Sequence, residues 1–241
     1  MKHINKGLVI TLALTILIVG SGFDNMSWTY SIQNTYPGDP YTTPWLYDNM
    51  AEVWVYFTSR GFTPYATAGI IGNMCLEGTA NPGQIEIGHP ISDPQSGRGL
   101  IGWTPGTKII NYANSVGADW YDGAMQCEYI CNHPNGYGGH PNWMTNPTHG
   151  YNYSWDEFKQ ISDYEVATYA FFWEAERGTV STIPARLDYA YKFFTDFTGS
   201  PPTPTPPGPD PTPPPTPQPP GTMDMTLLGG RDVMRRLWFK K

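Results

Sequence analysis

Positive charge is scarce in this sequence. Its 14 lysines and arginines stand against 21 aspartates and glutamates, for a formal net charge of −7 and a pI near 5.1. A nucleic-acid partner, whose phosphates call for basic patches, is thereby excluded. Cysteine is scarce too. Three cysteines fit export but define no disulfide framework. Cys127 and Cys131 sit four apart, and on a helix that spacing is poor geometry for a bridge. Pairing Cys75 with either of them leaves one thiol over. No internal repeat is present, and no apolar run approaches the roughly 20 residues of a comfortable membrane span.

The longest apolar stretch, Leu8 to Val19, instead follows Lys2 and Lys6 and precedes Gly20, Ser21 and Gly22. A positive n-region, a short apolar core and small residues at the end read as a signal peptide over 1–22, with a retained signal-anchor as the alternative. Either leads the body of the chain out of the cytoplasm. Residues 23–43 read as a linker and 44–199 as one domain of ordinary size, large enough to bury a core without staples. Thirteen of the twenty residues from Pro201 to Pro220 are proline. Region 200–222 is therefore a semi-rigid polyproline spacer, reaching roughly 60 Å at about 3.1 Å per residue. In the last segment, 223–241, Val233, Met234, Leu237 and Trp238 fall on one helical face with Arg231 and Arg235 off it. Such a basic amphipathic tail suits a membrane or a virion partner, or is a frayed end.

Within the domain the apolar period is helical. Leu46, Met50, Val53, Trp54 and Phe57 share a face, and Gly61 ends that run. Thr63 offers an N-cap and Pro64 a first helical residue, opening a helix that runs to Glu77, where Gly78 stops it. Short alternating stretches, Gln84–Gly88 and Arg98–Trp103, flank a turn-rich loop and suggest a small hairpin. Thr104 and Pro105 repeat the cap-plus-proline signal for a helix through Tyr112. A further helix covers Trp120 to Cys131, followed by a long loop to Tyr153. Ser154 with Glu157, and Ser162 with Glu165, have capping-box spacing. A last helix spans Pro184 to Phe197. The expected fold is α+β, predominantly helical with a small β-hairpin subdomain.

Glu77 lies at the C-terminal end of its helix, on the stripe of Ile70 and Met74. Burial and the negative helix end both disfavour a carboxylate, so its pKa is expected to rise. A carboxylic acid that keeps its proton is what a glycosidic oxygen needs from a general acid. Aromatic residues make up 15% of the chain, enough to fill a core and also to stack on sugars.

The series Gly69-Ile70-Ile71-Gly72-Asn73-Met74 with Glu77, then Asn81-Pro82, then Gly99-Leu100-Ile101-Gly102-Trp103-Thr104, resembles the phage tail lysozyme family. Gln126, the stretch Phe171, Phe172, Trp173 and Glu176-Arg177, and Arg186 with Tyr189-Ala190 extend the resemblance over roughly Leu46 to Phe194. It implies a lysozyme-like fold, a cleft between a helical body and a small β-subdomain, and no metal or organic cofactor. It also implies cleavage of the bond between N-acetylmuramic acid and N-acetylglucosamine in bacterial peptidoglycan, with Glu77 as the acid. Two positions depart from the pattern. Gly78 replaces a serine that commonly follows the glutamate, and Gly102 replaces the glutamine expected before the tryptophan.

A hydrolase of this kind uses a second carboxylate. Glu86, alternating with Ile85 and Ile87, is the first candidate, and Asp93 in the hairpin loop the second. Asn81, Trp103 and Tyr112 are candidates for binding sugars, whereas Trp173 fits the core better. Without a second carboxylate the chemistry would be that of a lytic transglycosylase, and a decayed site would leave a non-catalytic peptidoglycan-binding module. Two further readings are weaker. Cys75 as a peptidase nucleophile sits at the wrong helix end for a reactive thiolate, and zinc on Cys127, Cys131, His133 and His140 has no standard spacing. The place of action is outside the cytoplasm: secreted, membrane-tethered facing the wall, or on a virion tail.

Overall fold

The computed structural model describes residues 27–132, 143, 149–178 and 180–200. The signal region 1–22, the spacer apart from Ser200, the tail 223–241, and both His133 and His140 lie outside them. Seven α-helices follow one another among the described residues: α1 Pro44–Thr58, α2 Pro64–Glu77, α3 Thr107–Val116, α4 Gly123–Asn132, α5 Trp155–Lys159, α6 Tyr164–Phe171 and α7 Ile183–Thr198. None of these helices is long and apolar enough to cross a membrane.

The organising element is α2. Thr63 caps it by accepting from the Ala66 N–H at 3.0 Å, and Pro64 takes the first helical position. Every residue from Ala66 to Cys75 is buried, because α1, α6 and α7 pack around it. Small residues permit the close approach to α7. A Cβ on Gly72 would lie 2.4 Å from the Arg186 carbonyl oxygen, so only glycine fits. Leu46, Met50, Val53 and Phe57 of α1 share one buried cluster with Phe171 of α6 and Phe193 of α7. The capping box at Ser154 and Glu157 opens α5. At α6 the cap is Asp163, whose carboxylate accepts from the Glu165 and Val166 N–H groups, and not Ser162. Similarly α3 starts at Thr107, after a cis Thr104–Pro105 peptide, later than the sequence suggests. The fourth helix likewise begins at Gly123 and not at Trp120.

The expected hairpin, and with it the β part of the α+β assignment, is not found among the described residues. Three isolated bridges take its place: Gln33 with Gln84, Ile85 with Arg98, and Arg98 with Trp103. Gly88, Gly99 and Gly102 all have positive φ, between +62° and +83°, which bends the chain before an extended ladder can form. Residues 27–43, expected to be a linker, are laid along the domain. Asn49 holds Thr29 through two hydrogen bonds of 3.0 and 2.7 Å, and Asn81 holds Ser31 through two of 3.1 and 2.7 Å. The Ile85 N–H donates to the Gln33 carbonyl at 2.8 Å, so this strap runs beside 84–88.

Candidate active site

Glu77 is the last residue of α2, and Gly78 closes the helix by donating to the Met74 carbonyl. Thr79 and Ala80 then adopt left-handed conformations, with φ of 51° and 60°. For residues with a Cβ this costs of the order of 1–2 kcal/mol each, and it turns the chain sharply away from Glu77. The carboxyl group is left at a cleft of about 320 Å³ lined by Glu77, Gln84, Glu86, Gly97, Gly102 and Thr104, among others. Its side chain is 27% exposed.

Glu77 is not set among apolar groups, as its helical stripe suggests. Its Oε1 is ion-paired with the Arg186 guanidinium. Arg186 is 2% exposed, and it donates to Asn73 Oδ1 at 2.9 Å and to Thr182 Oγ1 at 3.1 Å. The Phe172 ring lies 5.0 Å from its guanidinium carbon. Three elements thus fix one carboxyl oxygen: α2 through Asn73, α7 through Arg186, and the π-helical turn Phe172–Glu176 through Phe172. Oε2 is the oxygen nearer Gly102, where a Cβ would lie 3.7 Å away.

The two departures from the family pattern therefore differ in kind. At Gly78 a Cβ would come within 2.3 Å of the Gly99 carbonyl oxygen and 2.4 Å of that of Leu100, so no serine fits. At Gly102 there is space, and the absence of a side chain leaves Glu77 Oε2 uncovered on the cleft side.

Glu86 shares this cleft. Its Oε2 accepts from the Gly97 N–H at 3.0 Å, and its Oε1 pairs with His89 Nε2 at 3.2 Å. Asp93 is placed differently. It accepts from the Gln95 N–H at 2.9 Å within its own turn, and it does not line the cleft. Asn81 is fully buried, and its amide is spent on Ser31 and Gly83. Trp103, 6% exposed, packs edge-on against Tyr129, and Tyr112 lies against the same ring at 4.7 Å. Neither ring is among the residues that line the cleft. Trp173 is half-buried and stacks on His149 at 3.6 Å. A larger open depression of about 590 Å³ between α5 and α6 carries Asp156, Glu157 and Asp163, two of which cap those helices.

All three cysteines are buried and free. Burial pushes the Cys75 thiol well above its usual value, which opposes a nucleophilic role. Cys127 is raised in the same way, and Cys131 is pushed up to about 12. Among the described residues no three His, Cys, Asp or Glu side chains gather around a common metal position.

Sequence reasoning gave no role to Arg186 or Glu176. The signal for Arg186 was present: a single cation on the apolar stripe of Ile183, Ala190 and Phe193. A buried charge there requires a partner of opposite sign. Gln126 also carries the site. Fully buried, it accepts from the Leu100 N–H at 2.8 Å and donates to the Pro82 and Trp120 carbonyls, tying both loops of the cleft to α4.

Comparison with known proteins agrees with this arrangement. Over 62 residues the chain is 42% identical to morphogenesis protein 1 of Bacillus phage B103, a stretch amounting to 26% of this chain and 17% of that protein. The chain thus matches only a small part of that relative's length. Residues 48–197 match the phage tail lysozyme profile, which spans more than half of the chain and every residue of the cleft. The chain belongs to the phage tail lysozyme family.

Proposed function

We propose that the protein hydrolyses the β-1,4 bond between N-acetylmuramic acid and N-acetylglucosamine in bacterial peptidoglycan, with Glu77 as proton donor. The observation that carries this reading is the pairing of Glu77 and Glu86 in one cleft, with the first held in a single orientation by Arg186. In the proposed reaction Glu77 protonates the glycosidic oxygen as the bond to the anomeric carbon breaks. Glu86 takes a proton from the water that attacks that carbon, and the positive charge developing on the sugar lies between two carboxyl groups. Gly102 leaves the room beside Glu77 Oε2 that an entering sugar requires.

The steric exclusion of a side chain at Gly78 removes one sign of a decayed, merely binding site. Membership of the family fits action at a cell wall or on a virion. The test is digestion of purified peptidoglycan by the full chain, with the products separated and weighed. Reducing muramic-acid ends are expected. Anhydro-sugar ends would replace hydrolysis by transglycosylation, and retention on the wall without cleavage would reduce the protein to a binding module.

A further inference from the structure

The strap 27–43 precedes the stretch 48–197 that matches the family profile, yet it holds the part of the cleft that carries Glu86. The segment around Glu86 is bonded along both edges. On one edge the Glu86 N–H donates to the Gly97 carbonyl at 2.8 Å, Glu86 Oε2 accepts from the Gly97 N–H at 3.0 Å, and the Gly99 N–H donates to the Gln84 carbonyl at 2.9 Å. On the other edge the strap supplies the partners. The Gln33 carbonyl accepts from the Ile85 N–H at 2.8 Å, the Asn34 carbonyl from the Gly88 N–H at 3.1 Å, and the Thr35 carbonyl from Gln84 Nε2 at 3.3 Å. Asn34 makes a second bond. Its Nδ2 donates to the His89 carbonyl at 2.7 Å, so this one residue spans Gly88 and His89. Gly88 has a φ of +83°, which favours glycine, and the His89 N–H closes the turn onto the Glu86 carbonyl at 3.1 Å. That turn brings the His89 ring back to Glu86, with Nε2 3.2 Å from Oε1.

We propose that Asn34 is a positioning residue for Glu86, acting through the turn 86–89, and that the strap is thereby a working part of the cleft. The inference rests on the reading of Glu86 as the group that takes a proton from water. The Glu86 side chain is 45% exposed and that of His89 50%, so packing alone fixes neither. An exposed glutamate is free to sample several rotamers, whereas a base must stand within hydrogen-bond reach of the water it activates. The Gly97 N–H fixes one carboxyl oxygen of Glu86, and the ring carried by the turn that Asn34 holds stands against the other. Loss of the Nδ2 donor frees the His89 carbonyl, and with it the ring beside Oε1. Gly97, Gly102 and Thr104, which also line the cleft, make no contact with Asn34 and keep their places. The consequence is slower chemistry with substrate binding retained.

The experiment measures the release of reducing ends over a range of peptidoglycan concentrations by the full-length protein, Asn34→Ala, Asn34→Asp and Glu86→Gln, well below the melting temperature of each. Asn34→Ala removes the side-chain donor and keeps the backbone bond to Gly88. Asn34→Asp keeps the size of the side chain and, as a carboxylate, has no N–H to give. Both should lower kcat by about three- to tenfold, the factor associated with one hydrogen bond, while the apparent KM stays within about twofold of the unmodified protein. A kcat equal to that of the unmodified protein in either variant, or a loss expressed in KM instead of kcat, would overturn the positioning role and leave Glu86 in place. Cleavage by Glu86→Gln at the rate of the unmodified protein would instead remove the role of Glu86, and with it the reading on which the inference rests.

Discussion

Replacing Arg186 by methionine tests whether the site is held together as described. Methionine keeps a long apolar stem in a position that is only 2% exposed, but it removes the donors to Asn73, Thr182 and Glu77. Breaking a buried ion pair by removing one partner costs about 3–5 kcal/mol, because the other charge is left uncompensated. Glu77 is 27% exposed and regains some water, which places the expected loss near the lower end, about 3 kcal/mol. For a domain of this size that corresponds to a fall in Tm of roughly 6–12 °C. Urea unfolding followed by tryptophan fluorescence measures it, as the chain carries nine tryptophans. The double variant Arg186→Met with Glu77→Gln removes the stranded charge and should recover about 1 kcal/mol or more of that loss as a coupling energy. A single variant within about 1 kcal/mol of the parent, or a cycle with no coupling, would refute the idea that Arg186 holds Glu77.

Gly78→Ser, which restores a residue common beside this glutamate in related enzymes, should harm this protein. Its Cβ would collide with two backbone carbonyl oxygens, an overpacking worth about 1–3 kcal/mol, and should reduce wall cleavage in parallel with stability. Unfolding curves and solubilisation rates check both. Glu176→Gln should become more stable than the parent as pH rises. The proton affinity of Glu176 is higher folded than unfolded, so the stability it contributes is complete below the unfolded value of 4.5 and fades as pH climbs toward the raised folded value. Glutamine loses nothing over that range, and a melting-temperature difference that stays flat from pH 4 to pH 9 would contradict the enclosure of the Glu176 Oε1 atom.

Much of the fold was legible because local signals and global packing agree. Thr63, Pro64 and Gly78 bracket α2 as read, and Ser154 with Glu157 forms the expected box. The errors have a common origin in tertiary contacts that no short window contains. The alternation around Ile85 and Ile87 resembles a strand, yet glycines with positive φ break it into single bridges. Residues 27–43 lack any period, and their place is fixed by the side-chain amides of Asn49 and Asn81, distant in sequence. At the site, the position of Glu77 could be read from a helix end, and Glu86 does lie in its cleft. The pairing of Glu77 with Arg186 joins residues 109 apart, and nothing near Glu77 in the sequence announces it. Of the residues read as sugar contacts, Asn81 and Trp103 are buried and Tyr112 is partly buried against the core, because polar and aromatic residues serve both ligands and cores.

The central claim is that Glu77 donates the proton. Its most direct test is the release of reducing ends from purified peptidoglycan by full-length Glu77→Gln, beside the unmodified protein and with matched melting curves. The account predicts a folded variant that no longer releases reducing ends above background at any pH. A folded Glu77→Gln that still cleaves the glycan at a rate near that of the parent would contradict it.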